Sequence, residues 1–162
     1  MYLKSSLLPL LVLPLIILGP PKSSAVVFDQ GPSARGAGGF TNISNSRPGV
    51  YEFSFEAVGN KNGRAHGRAV FDNLTAQTHI EIRIQCLTVL DSSSASITGT
   101  VLHSTDPELP KGTRVVFAAV DSIPPLSDII TLAFPSPETG CDNFLFPLTL
   151  FLLDGDAIQI EP

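Results

Sequence analysis

Thr78-His-Ile-Glu-Ile-Arg-Ile-Gln-Cys86 is the stretch that decides the fold. Thr78, Ile80, Ile82, Ile84 and Cys86 fall on one face of an extended chain, and His79, Glu81, Arg83 and Gln85 on the other. Strict alternation over this length is the pattern of a strand with one face in a core and one in water. The segment before it, residues 64–72, alternates too: Ala65, Gly67, Ala69 and Phe71 against His66, Arg68 and Asp72. With Asn73 to Ala76 as the connecting loop, Asp72 faces Gln77. Ala69 then faces Ile80, Gly67 faces Ile82 and Ala65 faces Ile84. Small residues oppose large ones on the core side. On the solvent side Arg68 faces Glu81, an opposite-charge cross-strand pair, His66 faces Arg83 and His79 faces Val70.

Outward from this hairpin the chain continues as strands and turns. Residues 50–58 alternate, with Tyr51, Phe53 and Phe55 on one side and Glu52, Ser54 and Glu56 on the other. Residues 95–102, 114–120 and 127–134 read as further strands between turns rich in Asp, Ser, Gly and Pro. Residues 144–153 are apolar but contain Pro147, which makes them an edge strand or a bent one. Residues 157–160 form a last short strand after the Asp154-Gly155 turn. No window has a helical period. The expected fold is all-β, an antiparallel β-sandwich or barrel of about eight strands.

The N-terminus reads differently. Met1 to Lys4 is a short charged region, and Leu7 to Leu18 an apolar run broken by Pro9 and Pro14. Ser23-Ser24-Ala25 offers small residues for cleavage after Ala25, the layout of a secretory signal peptide. The run is too short for a membrane span, which needs about 20 residues. The organisation expected is a signal peptide over residues 1–25, an irregular Gly- and Ser-rich lead-in over 26–47, with a short strand near Gly39 to Ile43, and one β domain over 48–162. The expected location is secreted or cell-envelope, with no membrane span in the mature chain. The net charge of −5 becomes more negative once Lys4 and Lys22 leave. An acidic surface repels phosphate backbones, which excludes nucleic acid as a natural partner. In an exported chain the two cysteines, Cys86 and Cys141, are expected to form a disulfide. Cys86 continues the isoleucine face, so the bond should be buried.

The chain resembles a family of small β domains in secreted bacterial proteins, often found at the C-terminus of surface or extracellular polypeptides. The likeness rests on Gly67-Arg-Ala-Val-Phe71, Ala95-Ser-Ile-Thr-Gly99, Val115-Val-Phe117 with Val120-Asp121, Asp128-Ile-Ile130 and the closing Gly155-Asp-Ala-Ile-Gln-Ile160. The resemblance implies an extracellular β domain with no established enzymatic activity and supplies no catalytic residues.

His103-Ser104-Thr105-Asp106 has the residue types of nucleophilic catalysis, but no Gly-x-Ser-x-Gly elbow accompanies it. His66, His79 and His103 lack metal-ligand spacing, so no metal site is expected on them. Asp154-Gly155-Asp156 and Asp106-Pro-Glu108 place carboxylates in turns where calcium could collect oxygen ligands, without the EF-hand pattern. Gly36-Ala-Gly38-Gly39 lacks the Lys-Ser/Thr of a phosphate loop. With no Trp, a sugar platform is not indicated, and the ten Phe suit a core. Asn42-Ile-Ser44 and Asn73-Leu-Thr75 are glycosylation sequons, relevant only in a eukaryotic secretory pathway. The expectation is a non-enzymatic structural or interaction domain, with no cofactor and an unknown protein or cell-surface partner. The alternatives are a secreted hydrolase with an unrecognised site and a β-barrel holding a small apolar ligand. A non-enzymatic domain should gather no histidine, carboxylate and hydroxyl or thiol into one pocket, and its titratable side chains should point outward.

Overall fold

The computed structural model describes residues 31–44, 47–122, 126–136, 141, 151–153 and 157–162. The segment expected to be a signal peptide, residues 1–25, lies outside the described residues, as do Asp154-Gly155-Asp156 and residues 144–150 of the apolar C-terminal segment. The described chain is all-β. Its strands are β1 (Ser33–Asn42), β2 (Gly49–Gly59), β3 (Arg64–Asn73), β4 (Thr78–Asp91), β5 (Ser94–Ser104), β6 (Arg114–Val120), β7 (Ile129–Ile130), β8 (Phe134–Pro135), β9 (Phe151–Leu152) and β10 (Ile158–Glu161). They form one antiparallel sheet in the order β10-β1-β2-β3-β4-β5-β6-β7-β9, with β8 also paired to β6. No helix among the described residues is long and apolar enough to cross a membrane.

The sheet folds over on itself without closing into a barrel. Aromatic side chains fill the space between its halves. Phe117 of β6 meets Phe55 of β2 and Phe71 of β3 edge-on, with ring centres 5.5 and 5.3 Å apart. Phe40 of β1 stacks on Phe151 of β9 at 4.5 Å. Strand β1 fits beneath these rings because it is glycine-rich. A Cβ on Gly36 would stand 2.8 Å from the Phe55 ring and 2.9 Å from the Ile158 side chain. Glycine there is a packing requirement. Residues 26–47 are therefore not an irregular lead-in throughout: from Ser33 to Asn42 they form a full strand, paired with β2 and β10. Its glycines hide the hydrophobic alternation, because on this strand the inward positions hold the absence of a side chain.

The β3–β4 hairpin forms with the expected faces and a different register. Ile80, Ile82 and Ile84 are buried. Asp72 lies opposite His79, Phe71 opposite Ile80, Ala69 opposite Ile82, Gly67 opposite Ile84 and Arg68 opposite Arg83. The loop is residues 74–77. Asn73 ends β3, and its Oδ1 accepts the amides of Thr75 and Ala76 at 3.0 and 2.9 Å. Gln77 absorbs the turn with φ of 54°. Moving the loop by one position moves the register by two, and a slip of two returns every side chain to the same face. The period of the sequence therefore did not register the difference. Arg68 and Glu81 still pair at 2.9 Å, as diagonal neighbours instead of direct ones.

Cysteines 86 and 141 form the expected disulfide, with Cα atoms 5.3 Å apart. Cys86 is buried, but not on the isoleucine face. Between Ile84 and Cys86 the β4–β5 register slips, so that Ile84 faces Gly99 and Cys86 faces Thr98. The extra residue of this bulge reverses the alternation. Leu87 continues the core, and Cys86 stands outside that cluster. The strand expected over residues 127–134 is also interrupted. The Thr131 hydroxyl accepts the Ala118 amide at 2.9 Å, and the ladder on β6 splits into β7 and β8, one residue out of step.

Candidate functional site

Polar groups gather in three places. The first is the unpaired flank of β10, where the two ends of the sheet meet. Asp128, 1% exposed, precedes β7. Its Oδ2 accepts the amides of Ala157 and Ile158, each at 2.6 Å, and its Oδ1 accepts Ser122 N–H at 2.8 Å. Asp121 Oδ2 accepts the amide of Ile160 at 3.2 Å. Two carboxylates thus stand in for the strand that would complete a barrel. They satisfy the amides of β10 that would otherwise be left unpaired.

The second lies at one end of the sheet, around Arg47. This residue has φ of 55°, unusual for a side chain of its size. Its guanidinium bonds the Asp106 carboxylate at 2.5 Å and the Ala133 carbonyl at 2.9 Å, and Glu108 lies 3.7 Å from its Nε. Its own carbonyl accepts Asn42 Nδ2 at 2.9 Å and the Tyr51 hydroxyl at 2.8 Å. The Tyr51 hydroxyl in turn accepts Asn73 Nδ2 at 2.8 Å. Burial holds the Tyr51 phenol above its ordinary pKa of 10.0, against the opposing pull of Arg47 and the Asn73 hydrogen bond. Both sequon asparagines are therefore internal parts, 2% and 5% exposed, with Nδ2 engaged. The Asp106-Pro-Glu108 turn offers its first carboxylate to Arg47 and to the Glu108 amide (2.9 Å).

The third is on the outer sheet face. His79 Nδ1 lies 2.7 Å from Asp72 Oδ1, and the two side chains are 38% and 40% exposed. The His103 ring centre is 5.8 Å from that of His79. Of the hydroxyls nearby, Thr105 Oγ1 accepts the main-chain amide of His79 at 2.8 Å, and Ser104 Oγ accepts the Asp106 amide at 2.9 Å. Neither of these bonds goes to an imidazole. His66 sits apart on β3, opposite Val58.

The hollows lie elsewhere. An open groove of about 670 Å³ on the outside of β10, β1, β2 and β3 is lined by Arg35, Ser54, Glu56, Arg68 and Gln159 among others. A second of about 780 Å³ runs past Asn60, Leu87 and Cys141, and a third of about 290 Å³ past Ser33 and Glu161. No histidine lines any of these three. The expectation that titratable groups would all point outward is corrected: Asp128 and Asp106 are buried, and the Arg47 side chain is only 10% exposed. Sequence reading missed them because each sits in a connection, where Asp and Arg are ordinary surface residues. His79 lies opposite Asp72 and not opposite Val70 as the sequence register predicts, because the loop begins one residue later. The fold and these groups define a disulfide-linked, single-sheet β domain whose buried charges are spent on holding its connections. No protein-family model matches the chain, and neither a curated protein nor a solved structure does.

Proposed function

We propose that this chain is an exported, non-enzymatic β domain that acts by structure or interaction at the cell envelope or outside the cell. The observation that carries this reading is where its buried polar groups point. Asp128 binds amides of the β10 segment, and Arg47 binds Asp106 and a main-chain carbonyl. Catalytic groups need to converge on a cleft that substrate can enter, whereas these converge on the protein's own backbone. The Cys86–Cys141 bond suits an oxidising compartment. The resemblance of Gly67-Arg-Ala-Val-Phe71 and the closing Gly155 to Ile160 segment to secreted bacterial β domains points the same way.

Expression of the full chain in a secreting bacterial host tests both halves. The expected product begins at Val26, yields no free thiol after denaturation, and turns over none of a panel of chromogenic esters, peptides and glycosides. Retention of residues 1–25 in the cytoplasm would sink the exported half. Turnover that disappears in His79→Ala would replace the non-enzymatic half with a hydrolase.

A further inference from the structure

The geometry points to a surface site for a first-row transition-metal ion, Cu2+ before Zn2+, built from the imidazoles of His79 and His103 and oriented by Asp72. This assignment is independent of the function proposed above. His79 on β4 faces Asp72 on β3, and a carboxylate can only accept, so in the 2.7 Å contact it is Nδ1–H that donates. That leaves the Nε2 lone pair free. A carboxylate holding one imidazole nitrogen so that the other can bind metal is the usual outer-shell arrangement of protein metal sites.

His103 supplies the second nitrogen from the neighbouring strand. An ion about 2.0–2.1 Å from each nitrogen sits ~3.2 Å from each ring centre, so it can bridge rings with centres up to roughly 6.4 Å apart. The observed 5.8 Å is inside that reach. The β4–β5 ladder places Glu81 opposite His103, and the β2–β3 ladder places Glu52 opposite Asp72. This corner of the sheet thus carries three carboxylates. Arg68 is bonded to Glu81. Arg83, four residues along β4 from His79, is about 13 Å away at the rise of a strand. Among the described residues no three His, Cys, Asp or Glu side chains converge on one point, so two imidazoles hold the ion and water fills its remaining positions. Imidazole donors suit copper and zinc, and Cu2+ binds more tightly than Zn2+ to a given nitrogen site.

The test is calorimetric titration of Cu2+ alone into the full chain, purified without a polyhistidine tag. One equivalent is expected to bind, with Zn2+ weaker. His79→Ala and His103→Ala should each weaken Cu2+ at least tenfold, and Asp72→Asn about tenfold through loss of the orienting carboxylate. His66→Ala should leave it unchanged. The melting temperature of each metal-free variant reads the fold separately. Equal Cu2+ affinity in the wild type and the His79→Ala/His103→Ala double variant would overturn the site. Full affinity in Asp72→Asn would overturn the oriented site in favour of a bare histidine pair.

Discussion

The β3–β4 hairpin and the seam along β10 are both places where the edge of a strand must find partners, and they find them by opposite means. In the hairpin a ladder does the work, irregular only between Arg64 and Gly67, and the charges lie outside it: Arg68, 64% exposed, pairs with Glu81, 22% exposed. At the seam the described residues form no ladder. Asp128 and Asp121 accept three amides of the β10 segment, and Asp128 takes Ser122 as well. A charge on the outside of a completed ladder is decoration in energetic terms. A charge that replaces a ladder is structural, because a buried amide left without an acceptor is costly.

Removing the seam's main acceptor should have the largest effect. Asp128→Ala leaves three amides without a carboxylate. At about 1.5–3 kcal/mol for each hydrogen bond to a charged group, the cost is on the order of 5 kcal/mol. Urea unfolding at pH 7 checks this, and a loss below about 1 kcal/mol would erase the contrast. Next comes the link that ties β4 to residue 141. Opening the disulfide, with cysteines 55 positions apart, should cost about 4 kcal/mol in the chain-entropy account. The Cys86→Ala/Cys141→Ala chain, unfolded beside the oxidised parent, gives the figure.

Asn73 lies between the two cases, at the end of the hairpin ladder but buried. Asn73→Ala removes the acceptor for two turn amides and the donor to Tyr51, for an expected loss of about 2 kcal/mol. Because Nδ2 of Asn42 and Asn73 is engaged, the folded chain secreted from a eukaryotic host should keep the same mass after glycosidase treatment. A glycan on either residue in folded protein would contradict the network. The same network predicts an alkaline limit. With the Tyr51 phenol held above its ordinary 10.0, unfolded chains ionise first, so the contribution of Tyr51 is fully present below pH 10 and is lost as the pH rises through the folded value. Tyr51→Phe should flatten that decline in a pH series of unfolding curves. The smallest effect belongs to the exposed pair. A double-mutant cycle on Arg68 and Glu81 should return 0–1 kcal/mol, and a coupling of several kcal/mol would mean that the outer face is not the passive surface it is taken for.

Local pattern carried much of this protein and failed at identifiable residues. Alternation in Thr78 to Cys86 and in Tyr51 to Phe55 assigned the buried faces of β4 and β2, because side-chain direction in a strand follows from chain geometry alone. It missed β1, whose inward Gly36 and Gly38 have no side chain to read, and it missed the bulge that turns Cys86 away from Ile84. The pairing of the cysteines was legible from their number and the expected compartment. The candidate metal site was not, since it depends on which residue faces His79, and period two cannot distinguish Asp72 from Val70.

By itself, then, the sequence determined the all-β class, the inward faces of the central strands and the disulfide. The tertiary structure alone decided the hairpin register, the inward turn of Asp128 and Arg47, and the meeting of Asp72, His79 and His103. Periodicity is a property of neighbours along the chain. These latter arrangements are settled by packing between segments far apart in it: Arg47 meets Asp106, and Asp128 meets Ile158, only after the sheet has folded over.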